Sequence, residues 1–139
     1  MGTPRLIGFS SFGDTSAGVL TVAHLTRDIP FDVRRVFWTY GTPTDRTRGG
    51  HAHFSTEAVL VAVSGKITVS TELADGAQEV FVLDSPAYGL YLPPLCWRTM
   101  KYSASAVQVT FESHDYAEED YIHRLEDLRG MLGKASRKR

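Results

Sequence analysis

The sequence has little cysteine and no long apolar run. Cys96 is the single cysteine among 139 residues, so no disulfide can form within the chain, and this usage is typical of a reducing compartment. A membrane-spanning helix needs about 20 consecutive apolar residues, and the opening residues MGTPRLIGFSSF lack the pattern of a signal peptide. We therefore predict a cytoplasmic protein that does not associate with membranes.

A strong charge of one sign is also missing. The formal net charge is −1, and the basic residues cluster only in the last segment, KASRKR. Nucleic-acid-binding proteins usually carry a basic patch or stripe, so we expect no nucleic-acid partner. A chain of this length can bury roughly two-thirds of its unfolded surface in one domain. We predict a single domain over residues 1–132 and a flexible basic tail over residues 133–139.

What the sequence does contain is a series of strand-like segments. Nine short segments are rich in β-branched and aromatic residues, and turn residues separate them at intervals of about 8–12 residues, as in a sandwich or barrel. The turns at Gly65 and Gly76 predict tight hairpins. Only the end of the sequence departs from this pattern, where Ile122, Leu125, Leu128 and Leu132 show helical spacing. The predicted fold is all-β, an antiparallel jelly-roll β-barrel with one short C-terminal α-helix.

Two of the five histidines stand one residue apart, behind two glycines, in the segment RGGHAH. On an extended strand His51 and His53 point to the same side, and Glu57 follows them if the strand continues that far. Inward positions of a small barrel can line a cavity for one ligand. Three interpretations remain open at this point: half of a metal site, a proton-transfer pair, or a polar strand end.

The spacing His-x-His-x-x-x-Glu, followed by a strand and a glycine, resembles the first motif of the cupin superfamily. Metal-binding cupins have one more histidine in a second motif after a proline-rich turn, and the corresponding segment here, YLPPLCWRTM, has Arg98 at that place. Arginine stays protonated and has no lone pair to donate to a cation. We therefore predict no metal and no cofactor, with a three-ligand site of His51, His53 and Glu57 as the alternative.

A narrower resemblance covers residues 29–128. The segments IPFDVRRVFWTYGTPTDRTRGGHAH, LDSPAYGLYLPPLCW and DYAEEDYIHRLEDL are similar to the signature regions of the sugar nucleotide 3,4-ketoisomerases. These enzymes are metal-free cupins that act on dTDP-4-keto-6-deoxyglucose. The resemblance implies a jelly roll, a homodimer and a role in deoxysugar biosynthesis. His51 also matches the proton-abstracting histidine of the related dTDP-sugar epimerases.

Two positions depart from the family pattern. Arg98 replaces a common histidine, and Ala17 lies near the place of an arginine that relatives use near the diphosphate. Both positions are expected near the substrate, so the nucleotide and the exact sugar remain open. The alternatives are a related epimerase or isomerase of different specificity, or a sugar-binding cupin that is non-catalytic or metal-dependent.

The chemistry of such an isomerase indicates which residue types it needs. Moving a ketone from C4 to C3 requires removal of the C3 proton, an enediol intermediate, and return of a proton at C4. A second proton has to pass between the two oxygens. Imidazole, with a pKa near 6.5, is suited to both transfers. We predict that His51 is the carbon base and that His53 serves the oxygen proton.

The remaining candidates are assigned to substrate binding. Arg48 can hold a diphosphate through two parallel hydrogen bonds, and Arg98 or Tyr40 can stabilise the enediolate. Trp38 or Tyr91 can stack on the base or line the sugar, although such aromatics are more often core or interface residues. In the segment VRRVFWTY neither face is purely apolar, so one face is expected to line a wet space. Glu57 is assigned to the pocket, with a solvated strand edge as the alternative.

Overall fold

The computed structural model describes residues 2–137. Twelve β-strands form the body, and one α-helix follows them. The strands are β1 (Arg5–Gly8), β2 (Ser10–Asp14), β3 (Gly18–Val22), β4 (Arg35–Thr39), β5 (Thr47–His53), β6 (Ala58–Ser64), β7 (Ile67–Leu73), β8 (Gln78–Leu83), β9 (Tyr88–Leu92), β10 (Cys96–Tyr102), β11 (Val107–Glu112) and β12 (Tyr121–Ile122), and the helix is α1 (Leu125–Arg137).

Two five-stranded antiparallel sheets face each other. The first has the strand order β1-β9-β6-β11-β4 and the second has the order β12-β5-β10-β7-β8, while β2 and β3 form a separate hairpin. Neighbours in each sheet are mostly distant in sequence, as in a jelly roll. The all-β jelly-roll prediction with a C-terminal helix is confirmed, and the two sheets form an open sandwich. None of the described helices is long and apolar enough to cross a membrane.

The main core lies between the two sheets. Alternate residues of β6 and β9 point inward from the first sheet and meet inward residues of β7, β8 and β10 from the second, because side chains alternate along a strand. The core comprises Ala58, Leu60, Ala62, Ile67, Val69, Leu83, Leu90, Leu92, Cys96, Met100, Tyr102 and Ala106. This apolar half supports the other half of the sandwich, where β4, β5, β10 and β11 present polar side chains.

A second cluster covers the outer face of the first sheet. Val59, Val61 and Tyr91 point outward there and pack against Ile29 and Phe31 from the segment that precedes β4. Both faces of this sheet are therefore partly buried. This explains why the segment EAVLVAVS is almost continuously apolar instead of alternating.

The turn predictions are half right. The turn at Gly76 joins β7 to β8, which pair with each other as predicted. The turn at Gly65 reverses the chain, but β6 pairs with β9 and β11 while β7 pairs with β8 and β10. No hairpin forms there because both edges of each strand are already occupied. A tight turn specifies a local reversal, whereas the pairing depends on distant strands.

The helix begins later than the periodicity suggested. Residues Glu118–Asp120 form a 3-10 turn, and Ile122 lies in β12, where it pairs with Ala52. Leu128 of α1 packs against these two residues, so the apolar spacing reflects a shared cluster rather than one helix. The helix reaches Arg137 and thus includes residues 133–137 of the segment predicted as a tail, whereas Lys138 and Arg139 lie outside the described residues. The domain bounds and the flexibility of the tail stay predictions.

Candidate active site

A bulge in β5 shapes the site. In β10, Arg98 pairs with His51 and the following residue, Thr99, pairs with Gly49. Gly50 lies between the two paired residues of β5 and is therefore the extra residue of the bulge. Bulges of this kind re-aim the side chains that follow them. Arg48 and His51 are three residues apart and would point to opposite faces of a regular strand, yet both line the same cavity.

Glycine is required at this bulge. Gly49 has a φ of 82°, and a Cβ atom added there would lie 2.7 Å from the carbonyl oxygen of Arg98. Any other residue would push β5 away from β10 and strain the backbone. The two glycines before the histidines are thus explained by the way they bring His51 opposite Arg98.

A cavity of about 460 Å³ opens between β4 and β11 on one side and β5 and β10 on the other. This volume lies within the usual range for small-molecule sites. The lining residues are Arg35, Phe37, Trp38, Thr39, Tyr40, Arg48, Gly49, His51, Leu60, Arg98, Met100, Tyr102, Gln108, Thr110, Glu112 and Tyr121. Of the eight residues predicted for the site, the structure brings five to this cavity: Trp38, Tyr40, Arg48, His51 and Arg98.

His51 is the imidazole on the cavity wall. Burial, followed by the nearby charge of Arg98, lowers the pKa of His51 from 6.5 to about 4, and the backbone of Gly49 acts weakly in the opposite direction. The ring is therefore neutral at pH 7 and has a lone pair to accept a proton. A neutral base next to a fixed cation is suited to proton abstraction that generates a negative charge.

His53 does not reach the cavity wall. Its side chain is 2% exposed, and its ring centre lies 5.0 Å from that of His51 and 4.4 Å from that of Tyr121. Burial is the main reason that its pKa is lowered, and the charges of Arg98 and His51 add to it. His53 is therefore a neutral imidazole directly behind the wall that His51 and Tyr121 form.

Arg98 is a buried cation with spare hydrogen-bonding capacity. The side chain is 3% exposed, its Nε donates to the carbonyl oxygen of Cys96 at 3.0 Å, and its Nη2 has no hydrogen-bond partner among the described residues. Burial also lowers its pKa. A buried guanidinium rarely lacks partners, and Arg98 lines the cavity, so its charge is placed to attract an anionic or carbonyl oxygen of a ligand.

The opposite wall contains polar residues that the sequence analysis missed. Arg35 donates from Nη1 to Oε1 of Glu112 at 2.8 Å, and burial raises the pKa of Glu112 although Arg35 and Arg98 oppose this. Tyr102 of β10 donates across to Gln108 of this wall, whose amide donates to Thr110, each at 2.9 Å. The alternation in VQVTFE, with a polar residue at every second position of a core strand, was a signal that could have revealed this wall.

Asp120 and Tyr121 were also missed. Tyr121 lines the cavity and pairs with His53 in the β12–β5 register. Asp120 places Oδ2 3.4 Å from Nδ1 of His53. Both residues lie in a segment with helical periodicity, and the signal that could have found them was the resemblance of DYAEEDYIHRLEDL to a signature region of the family.

Three predicted residues lie at the rim of the cavity. Trp38 and Tyr40 are 63% and 69% exposed, and Arg48 is exposed at the end where a smaller pocket, lined also by Tyr40 and Arg46, begins. These three side chains surround the entrance rather than the buried end. Their position is suited to the outer part of an elongated ligand.

Glu57 and Tyr91 are not brought to the cavity. β5 ends at His53, and the chain bends before β6, so the single extended strand over residues 51–59 that the prediction assumed does not exist. Tyr91 donates to Oε1 of Glu57 at 2.5 Å and packs in the outer cluster with Val59. The three-ligand metal alternative therefore lacks its carboxylate, and the described residues contain no group of three metal-binding side chains.

Fold and cavity together define a cupin-like enzyme. Residues 3–132 match the profile of the family described as "FdtA: WxcM-like, C-terminal". The chain belongs to this family, which confirms the resemblance found in the sequence.

Individual relatives agree with this assignment. The chain is 34% identical to the TDP-4-oxo-6-deoxy-α-D-glucose-3,4-oxoisomerase of Aneurinibacillus thermoaerophilus over 94% of this chain and 93% of that protein. The crystal structure of QdtA, a sugar 3,4-ketoisomerase from Thermoanaerobacterium thermosaccharolyticum in complex with TDP, superimposes with a TM-score of 0.89 at 31% identity, covering 96% of both chains. A histidine-to-asparagine variant of QdtA in complex with TDP-4-keto-6-deoxyglucose gives a TM-score of 0.89 at 30% identity, again over 96% of both chains.

Proposed function

We propose that this protein is a sugar nucleotide 3,4-ketoisomerase that converts dTDP-4-keto-6-deoxyglucose into a dTDP-3-keto-6-deoxyhexose. The observation that carries the proposal is the pair formed by His51, a neutral base, and Arg98, a buried cation with a free Nη2, on one wall of a cavity of about 460 Å³. The names of the relatives support the choice of substrate. The reaction is an internal redox exchange and needs no cofactor.

His51 acts as the carbon base in this proposal. Its lone pair takes the C3 proton, the C3–H electrons form the C3–C4 double bond, and the C4 carbonyl becomes an enediolate oxygen. Arg98 donates a hydrogen bond to that oxygen in a site where few waters compete, which is where preorganised donors are most effective. The proton then returns to C4 while C3 becomes the ketone.

Arg98 is favoured over Tyr40 as the group that stabilises the enediolate. Tyr40 is 69% exposed at the rim, whereas Arg98 is 3% exposed at the buried end near His51. In a buried site, the charge of a guanidinium also attracts an enediolate more strongly than the dipole of a phenol does. Arg48, with Trp38 and Tyr40 beside it, is assigned to the nucleotide diphosphate and base at the entrance.

His53 is assigned to the proton that passes between the two sugar oxygens. Its ring lies beside His51 and Tyr121, one layer behind the wall. A group in this position can reach a substrate oxygen directly after a small movement or through one water. This assignment distinguishes His53 from His51, which faces the cavity itself.

We also propose a cytoplasmic homodimer. The β2–β3 hairpin exposes Phe12, Val19 and Leu20 by 61%, 61% and 59%, and Val19 lines an apolar groove of about 370 Å³ together with Val61 and Phe111. Apolar surface of this kind usually marks an interface. A second copy of the chain would cover it, and light scattering at micromolar concentration should give the mass of a dimer rather than a monomer.

The reaction itself is tested with dTDP-4-keto-6-deoxyglucose in deuterated water. The expected product carries its ketone at C3, which NMR identifies directly, with deuterium at C4 to the extent that His51 exchanges with solvent. A related epimerase would return a 4-keto sugar that is deuterated at C3 or C5. Recovery of the 4-keto sugar without any 3-keto product would overturn the proposal.

Chelation separates this proposal from a metal-dependent cupin. We expect turnover to be unchanged after treatment with a strong chelator, because Arg98 stands at the place of the second-motif histidine and repels a cation. Metal content per chain, measured by elemental analysis, serves as the control. Loss of activity that stoichiometric zinc, iron or manganese restores would contradict the metal-independent mechanism.

A further inference from the structure

Asp120 is held rigidly against the turn that follows β5. Its Oδ1 accepts the backbone N–H of Ser55 at 2.9 Å, and its Oδ2 accepts both the backbone N–H and the hydroxyl of Thr56, at 3.1 and 2.5 Å. Its carbonyl oxygen accepts the N–H of Phe54 at 2.9 Å. Four hydrogen bonds thus join Asp120 to the three residues directly after His53.

This carboxylate faces the buried histidine. Oδ2 lies 3.4 Å from Nδ1 of His53, which is longer than a good hydrogen bond but close enough for the carboxylate charge to act on the ring. Neither ring nitrogen of His53 has a hydrogen-bond partner among the described residues, although the side chain is 2% exposed. Leaving a buried ring nitrogen unpaired costs free energy, so an attraction between the N–H at Nδ1 and the carboxylate of Asp120 is favoured.

We propose that Asp120 is a positioning residue for the isomerase reaction, fixing the proton of His53 on Nδ1 and leaving the lone pair on Nε2. A carboxylate attracts an N–H and repels a lone pair, so the tautomer with hydrogen on Nδ1 is favoured next to Oδ2. The two ring nitrogens point in different directions, and Nε2 therefore faces away from Asp120. The proposal rests on the proposed function of the site.

The consequence is a defined direction for proton transfer. With its lone pair on Nε2, His53 can accept the hydroxyl proton of the substrate through one water or after a small movement, and return it to the neighbouring oxygen. Burial, with the charges of Arg98 and His51, lowers the pKa of His53 to about 3, and the charge of Asp120 opposes this shift and so stabilises the imidazolium formed in between. Asp120 itself stays ionised, because the bonds from Thr56 and Ser55 outweigh the opposing effect of burial and lower its pKa.

The tautomer can be measured without turnover. Long-range ¹H–¹⁵N correlation spectra of the protein at neutral pH should show the ring proton of His53 on Nδ1. Asp120→Asn should reduce this preference, because an amide can present either an oxygen or an NH₂ group. Thr56→Val removes one bond to Asp120 but keeps the carboxylate, and we expect it to leave the tautomer as in the wild type. A wild-type signal from hydrogen on Nε2 would overturn the proposal.

Kinetics test whether Asp120 acts through His53. We expect Asp120→Asn to lower kcat by about 10- to 100-fold, in the range found for residues that orient a reacting group, with little change in KM. In a His53→Asn background the same substitution should have no further effect on kcat, since the group that it positions is gone. Glu119→Gln removes a neighbouring exposed carboxylate from the same turn and should behave as wild type.

Two results would contradict this role. If Asp120→Asn and His53→Asn reduce kcat by independent factors that multiply, Asp120 only holds the turn together. If Thr56→Val lowers kcat as much as Asp120→Asn, the hydrogen bonds of the turn matter and the carboxylate charge does not. A chain without ketoisomerase activity would refute the proposed function, while the tautomer spectra would still decide the role of Asp120.

Discussion

Two buried polar clusters lie in the same sandwich and differ in how completely their groups are paired. In the outer cluster, Tyr91 donates to Glu57 at 2.5 Å, and the guanidinium of Arg5 lies over the Tyr91 ring at 4.6 Å. At the cavity, Nη2 of Arg98 and both ring nitrogens of His53 have no hydrogen-bond partner among the described residues. Both clusters contain residues that the sequence singled out as site candidates.

The difference separates structural polar groups from functional ones. A paired donor and acceptor stabilise the fold and have little capacity left for a ligand, whereas a buried unpaired group costs about 1–3 kcal/mol. Such an unpaired group is tolerated at a place where the substrate supplies the missing partner. By this criterion we assign Arg98 and His53 to the proposed reaction, and Glu57 and Tyr91 to the architecture.

The largest effect is expected at the carbon base. His51→Asn keeps a side chain of similar polarity but removes the titratable nitrogen, and general base catalysis is worth about 10²–10⁴-fold. The value of kcat should fall by that factor while substrate binding, measured by calorimetry, remains. Wild-type turnover in this variant would mean that His51 has no catalytic role. The cavity would then be no more functional than the outer cluster.

Arg98→Met tests the comparison because this substitution should lower the activity without lowering the stability. We expect a loss of about 10²-fold in kcat, as for removal of one oxyanion donor, while the free energy of unfolding stays equal or rises because a buried charge without a full set of partners is removed. Thermal denaturation supplies the second measurement. A large loss of stability would place Arg98 among the structural groups instead.

The same substitution should change the pH dependence. In the wild type, kcat/KM should fall only as the pH drops through about 4, where His51 becomes protonated. The charge of Arg98 lowers the pKa of His51, so Arg98→Met should raise that pKa and move the acidic limb of the profile to higher pH. An acidic limb at the same pH in both proteins would show that Arg98 does not act on His51.

A smaller effect is expected at the rim. Arg48→Ala removes an exposed side chain that is assigned to the diphosphate, so KM should rise by about 10-fold while kcat stays near wild type, because ground-state binding is lost. The increase should shrink at high salt, since exposed charges are screened. A fall in kcat with unchanged KM would show that Arg48 acts on the transition state instead.

The smallest effect on activity is expected in the outer cluster. Tyr91→Phe removes the hydroxyl that donates to Glu57 and should lower the free energy of unfolding by about 1 kcal/mol, with kcat and KM unchanged. Urea denaturation and steady-state assays on the same preparation give both values. A clear fall in kcat or rise in KM would show that Tyr91 takes part in the reaction or in substrate binding.

The sequence by itself determined the fold class and the family, and it singled out the two histidines that we propose for the reaction. Strand-like segments, turn spacing and the helical spacing of apolar residues near the end indicated a jelly roll with a C-terminal helix. The segment RGGHAH, together with Arg98 in place of a histidine, indicated proton transfer at His51. These features are local, because residue type and spacing along one or two strands are enough to reveal them.

Only the tertiary structure decided which candidates meet. The bulge at Gly50 brings Arg48 and His51 to the same face, and the break after His53 directs Glu57 toward Tyr91. Asp120 reaches His53 through pairing of β12 with β5. Each of these outcomes depends on strand register, and a shift of one residue in register moves a side chain to the opposite face. Register is set by contacts between strands that are distant in sequence, so it cannot be predicted from residue spacing along the chain.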